Sequence, residues 1–115
     1  YYIVVRARNH LAVMSSVAVP LPNNNTYNFA QGNAYVMGGN EQMTNMGNNI
    51  FALKAGDIDG NGVVTVDDYN QYVAQSSLVN TYTTADCSMD GHVTVQDFNL
   101  YRPNASIIGV TFVRY

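Results

Sequence analysis

Residues 57–68 read Asp57-Ile58-Asp59-Gly60-Asn61-Gly62-Val63-Val64-Thr65-Val66-Asp67-Asp68. Oxygen-bearing side chains fall on the first, third, fifth, ninth and twelfth positions, around a glycine at the sixth. Calcium is a hard cation that takes about six to eight oxygens, and a twelve-residue loop supplies them from those positions plus the seventh carbonyl. The ligands expected here are Asp57, Asp59, Asn61, the Val63 carbonyl, Thr65 through water, and Asp68. Gly62 stands where the sharp turn needs an unhindered backbone.

A second copy begins 29 residues on, from 57 to 86: Asp86-Cys87-Ser88-Met89-Asp90-Gly91-His92-Val93-Thr94-Val95-Gln96-Asp97. Its expected ligands are Asp86, Ser88, Asp90, the His92 carbonyl, Thr94 and Asp97, with Gly91 at the turn. Six of the chain's seven aspartates fall on ligand positions, and neither loop contains Lys or Arg. Three carboxylates per loop repel one another unless a cation sits among them. Two Ca²⁺ ions are therefore expected rather than two bare Asp/Gly hairpin turns. Both loops close on Asp, one methylene shorter than Glu, which points to the weak extracellular range of about 10⁻⁴–10⁻³ M. The eighth residues, Val64 and Val93, are expected to be buried and to pair the two loops through their backbones.

Each loop runs into a helix. Tyr69, Tyr72 and Val73 recur at helical spacing after the first, and Phe98 and Tyr101 after the second, where Pro103 ends the helix early. Nothing amphipathic precedes either loop. Upstream the pattern is β, at Tyr1–Val5, Leu11–Val19, Tyr27–Ala30, Ala34–Met37 and Ile50–Leu53, with Arg8-Asn9-His10 as a turn and Gly38–Asn49 as loop. A final strand is expected at Ile107–Val113. The expected fold is mainly β with two short helices: a small sandwich-like sheet region over 1–56, a double calcium-loop unit over 57–103, and a C-terminal strand over 104–115 that returns to the sheet.

The duplicated loop-helix pattern without entering helices resembles the dockerin family of secreted bacterial proteins, over roughly residues 56–103. The whole chain is similar to the C-terminal region of secreted Bacteroidetes-type surface proteins. That resemblance rests on Tyr1-Tyr2-Ile3-Val4-Val5-Arg6, Asn9-His10-Leu11-Ala12-Val13-Met14, Ala55-Gly56-Asp57, Asp86 with Met89-Asp90-Gly91, and Arg102-Pro103-Asn104. It implies an extracellular or cell-surface, calcium-bearing module. Dockerins engage scaffold proteins through the tenth and eleventh loop positions, which here hold Val66, Asp67, Val95 and Gln96.

Composition narrows the function. The 115 residues are 47% hydrophobic and 11% aromatic, which excludes a disordered chain. No apolar run approaches the ~20 residues of a membrane span. The five basic residues, Arg6, Arg8, Lys54, Arg102 and Arg114, form no basic face for nucleic acid. Residues 1–56 carry net +2, 57–97 carry −7 and the tail +2. The single Cys87 excludes an internal disulfide and is expected to be an idle thiol. Beginning on Tyr1-Tyr2 without Met, the sequence is expected to be a processed chain or part of a longer one. No nucleophile-base set stands out beyond the acids committed to metal, and His10 in a turn is expected to be structural. The charged fraction is 11%, against about 25% in ordinary soluble domains, and such neutral, Tyr-rich surfaces tend to associate. The function expected is a non-enzymatic structural protein, a self-assembling surface or fibre subunit joined through edge strands at the termini. The alternative is a docking module for a separate scaffold protein. Met37, Met43 and Met46 are expected in the core. Asn24-Asn25-Thr26 and Asn104-Ala105-Ser106 match glycosylation acceptors.

Overall fold

The computed structural model describes residues 1–22, 24–39 and 42–109. The apolar start of the chain folds back on itself: β1 (Val4–Val5) pairs antiparallel with β2 (Val13–Met14), Val4 opposite Met14 and Val5 opposite Val13. The expected turn lies between them, with Asn9 in the left-handed region at φ 56°. Pairing continues to the very N-terminus, where Ser15 N–H donates to the Ile3 carbonyl (2.8 Å) and Val19 N–H to that of Tyr1 (2.6 Å). Successive strand residues face opposite sides. Met14 accordingly packs with Ala12 and Met37, while Val13 packs with Val36 and Met43. Both sides are covered, which is why this strand reads as an unbroken apolar run.

A second hairpin joins β3 (Met43–Asn45) to β4 (Phe51–Leu53), with Met43 opposite Leu53. β4 stands where the sequence places it. β3 lies in a stretch expected to be loop, because Asn and Gly around it mask the one residue, Met43, that enters the core. The strands expected at Tyr27–Ala30 and Ala34–Met37 are instead short 3₁₀ turns at Phe29–Gln31 and Asn33–Tyr35. Asn28 starts the first turn by accepting from Ala30 N–H (2.9 Å), and the Tyr27 ring folds edge-on to Phe29 (4.8 Å between centroids). Local side-chain bonding of this kind competes with ladder pairing. The described residues thus contain two separate two-stranded sheets rather than one sandwich-like sheet region, and mainly β fits only loosely.

The helices stand where expected: α1 (Val66–Gln75) and α2 (Val95–Tyr101), the latter followed by a 3₁₀ turn at Arg102–Asn104. Their aromatic rows meet, Tyr69 edge-on to Phe98 (5.8 Å) and stacked on Tyr101 (6.3 Å), and Tyr72 tilted against Phe98 (5.8 Å). No helix among the described residues is long and apolar enough to cross a membrane.

The backbone pairing of the acidic loops differs from expectation in an ordered way. Val64 and Val93 are both buried but do not pair with each other. Val64 N–H donates to the Ile107 carbonyl (2.9 Å) and Val93 N–H to that of Leu78 (2.8 Å). Each loop therefore pairs with the segment that follows the other loop's helix. The reversals match as well, for Ser77 and Ser106 both take left-handed φ values, 69° and 76°. Residues 106–109 thus meet the first acidic loop rather than the N-terminal hairpin, with Ile108 bridging to Val63. The rest of the expected terminal strand, 110–115, lies outside the described residues. Ile107 and Phe98 pack on Leu11, Val64 and Tyr101, which join the N-terminal hairpin to the loop-helix unit.

Gly56 marks that junction. Its φ is +119°, and a Cβ there would stand 3.1 Å from both Tyr101 Cδ2 and Val64 Cγ1. Backbone strain and overpacking act together, so Gly56→Ala is expected to destabilise the chain by about 2–4 kcal/mol. A lowered urea midpoint at unchanged slope is the result expected from equilibrium unfolding.

Candidate metal centre

The first loop is folded around its own carboxylates. Asp57 accepts from Asn61 N–H (3.0 Å) and Gly62 N–H (3.1 Å), Asp59 from Asn61 N–H (3.0 Å), and Asn61 Oδ1 from Val63 N–H (2.9 Å). Asp68 closes the loop from the helix side. One of its oxygens takes Ile58 N–H (2.7 Å) and Asp59 N–H (3.1 Å), the other Thr65 N–H (2.7 Å). Thr65 answers with its hydroxyl, so Thr65 and Asp68 form a reciprocal capping box on α1.

This curling brings Asp57, Asp59 and Asp68 together, with ligand oxygens within 4.8 Å of one another. Asp57 and Asp68 are buried, while Asp59 and Asn61 are exposed at the loop's outer side. Thr65 and Val63 are half-buried. Burial pushes the Asp57 carboxyl up to about 6, the N–H groups of Gly62 and Asn61 oppose it, and the charges of Asp68 and Asp59 add to it. An all-oxygen cluster of three acids, two of them out of water, has the donor chemistry of a hard cation's site.

The second loop repeats the frame. Asp86 accepts from Asp90 N–H (3.2 Å) and Gly91 N–H (2.8 Å), and Asp90 from His92 N–H (2.9 Å). Asp97 takes Ser88 N–H (2.9 Å) and Thr94 N–H (2.7 Å), with Thr94 and Asp97 capping α2. Asp86 and Asp97 are buried, Ser88 is half-buried, and Asp90, His92 and Thr94 are exposed. The electrostatics differ at the third position. Ser88 is neutral and donates its hydroxyl to Asp86 (3.3 Å). Burial alone would raise the Asp86 carboxyl, but Gly91 and Asp90 N–H, the Ser88 hydroxyl and Met89 N–H hold it below the usual range. Among the described residues, Asp57, Asp59 and Asp68 are the one set of three acidic, His or Cys groups converging within 4.8 Å. The first loop is thus the more crowded with charge, the second the more relaxed.

The capping boxes were legible in the sequence as Thr-x-x-Asp at 65–68 and 94–97. Ligand spacing alone gives Thr65 and Thr94 a role through water and leaves their work at the helix ends unread. Asn9 is another residue that ligand spacing misses. Buried in the hairpin turn, it donates to the carbonyls of Thr84 (2.9 Å) and Asp86 (2.8 Å), tying the turn to the second loop. Cys87 is buried, and burial pushes its thiol up to about 12, an inert group. Asn104 is also buried, donating to the Ala55 (2.8 Å) and Leu100 (3.2 Å) carbonyls, so its amide is committed to the fold. Met43 is in the core and Met37 packs on Ala12 and Met14, but Met46 is exposed. Comparison with protein-family models, with curated proteins and with solved structures finds no match for this chain.

Proposed function

We propose that the chain is a calcium-dependent structural module of the cell exterior, built for assembly rather than catalysis. The observation that carries this reading is the convergence of Asp57, Asp59 and Asp68 beside a Gly56 junction that joins the N-terminal hairpin to the loop-helix unit. Asp57, Asp59, Asn61, the Val63 carbonyl, Thr65 and Asp68 would hold the first ion. Asp86, Ser88, Asp90, the His92 carbonyl, Thr94 and Asp97 would hold the second. Bound calcium supplies charge neutralisation and a cross-link between each loop and the helix its last Asp caps. The dockerin-like duplication fits a secreted, surface-borne chain.

Assembly is assigned to the N-terminal hairpin. Tyr1, Tyr2 and Val4 are exposed on a strand with neither Lys nor Pro among residues 1–5 to block pairing with another chain. A docking role is favoured by a different surface: Val66 and Val95, at equivalent positions of the two repeats, are 65% and 64% exposed. Light scattering and electron microscopy with calcium and with chelator separate the two. Growth into fibres with calcium, blocked by Val4→Lys while calcium binding persists, is the expected result. A chain that stays monomeric at high concentration in saturating calcium is a docking module or neither, and the fibre reading falls.

A further inference from the structure

Four buried side-chain nitrogen and oxygen atoms find no hydrogen-bond partner among the described residues: Arg8 Nε and Nη1, Thr81 Oγ1 and Thr83 Oγ1. They belong to one corner of the molecule. Tyr82, between the two threonines, lies with its ring centroid 3.6 Å from Arg8 Cζ. A ring over the face of a guanidinium attracts the cation but leaves its in-plane N–H groups needing acceptors. Buried donors are seldom left unmatched in folded proteins, and a charged one least of all. Arg8 also lines an open cavity of about 310 Å³. Arg6, Arg8, Asn9 and His10 of the hairpin turn form one wall, and Asp57 and Asp59 of the first loop stand on another. The turn is held in shape, since His10 Nδ1 lies 2.9 Å from the Arg8 carbonyl and 2.8 Å from Asn9 Oδ1, while Asn9 donates to the second loop.

We propose that this cavity binds a carboxylate, carried by a small organic acid or by an acidic peptide side chain, on the Arg8 guanidinium. The inference rests on the calcium reading, because Asp57 and Asp59 repel any anion until a cation neutralises them. Three aspartates against one Ca²⁺ leave the loaded loop at −1, so a monoanionic carboxylate still meets less repulsion there than a dianion. Tyr82 is 86% exposed, so its ring can swing aside and let the guanidinium turn to the cavity without unpacking the core. Calcium and carboxylate then strengthen each other's binding by the same factor, as linkage requires.

The test follows the Arg8 Nε–H resonance of the ¹⁵N-labelled chain by NMR, with calorimetry reporting calcium uptake separately. Propionate and a blocked Gly-Glu-Gly peptide are titrated into the calcium-saturated protein, with sodium sulfate as the dianion. A saturable downfield shift with either carboxylate is expected, and tighter binding by the peptide marks a protein source, by propionate a free acid. Binding should weaken about tenfold in Arg8→Lys, which keeps the charge but loses the planar donors. It should also weaken about tenfold when calcium is chelated. Calcium uptake without any Arg8 shift overturns this inference and leaves the calcium reading standing. No calcium uptake removes that reading and this inference with it. Sulfate binding as tightly as propionate overturns the carboxylate assignment.

Discussion

Asp68→Ala is expected to destabilise the metal-free chain by about 3–5 kcal/mol, because three backbone N–H groups lose their acceptor at once. Asp68 is fully buried and accepts from the N–H groups of Ile58, Asp59 and Thr65. The capping box on α1 disappears with it. A domain of this size has about 5–15 kcal/mol in total, so the variant stands near the edge of folding. Asp68→Asn separates the two roles of the residue. It keeps one carbonyl acceptor and loses the charge, so it should lie between wild type and Asp68→Ala in urea midpoint while binding calcium as poorly as the alanine variant. Equal midpoints for Asp68→Ala and wild type would show that the loop is not held by this carboxylate.

Asp57→Asn is expected to act with opposite signs on stability and on binding. The folded Asp57 carboxyl is pushed up to about 6 from 3.8, so the folded state holds its proton more tightly than the unfolded one. The Asp57 contribution to metal-free stability is therefore greatest below about pH 4, falls as pH rises through 6, and is flat above that, losing about 3 kcal/mol in all. Asn carries no charge to desolvate, so the variant escapes this penalty. It gives part of that back through the acceptor lost to Gly62 N–H, leaving a net gain of about 1–2 kcal/mol at pH 7. Calcium affinity should fall on the order of 100-fold, since a charged ligand at the first position is gone. In wild type, calcium must displace the Asp57 proton, so affinity should rise about tenfold per pH unit up to pH 6 and then level. Thermal unfolding and calcium titration between pH 4.5 and 8 check both slopes. A metal-free stability that rises with pH over this interval would contradict the strain assigned to Asp57.

The acidic half of the chain was the more legible in sequence because its local chemistry dictates its shape. Side-chain oxygens at alternate positions, a glycine at the sixth and Thr-x-x-Asp at the end act over a few residues. The loop bonds and helices α1 and α2 follow from them. The N-terminal half depends on distant partners. Met43 becomes a strand residue because Leu53 lies across from it, and nothing within Gly38–Asn49 announces that pairing. Tyr27–Ala30 reads as strand by composition, yet Asn28 capping and the edge-on Tyr27–Phe29 contact go with a 3₁₀ turn at Phe29–Gln31. The exchange of loop partners, Val64 with Ile107 and Val93 with Leu78, was illegible for the same reason. It depends on how two helices pack, not on either loop. Spacing also ranks the two loops poorly, for each offers three aspartates, and only the folded positions show that those of the first converge within 4.8 Å.

Calcium titrated calorimetrically into the metal-free chain at pH 7 tests the central claim most directly. Two ions per chain are predicted, the tighter one lost in Asp57→Asn and the weaker one kept, with thermal stability rising as the sites fill. Fewer than one ion per chain, or an unchanged melting temperature in saturating calcium, would contradict it.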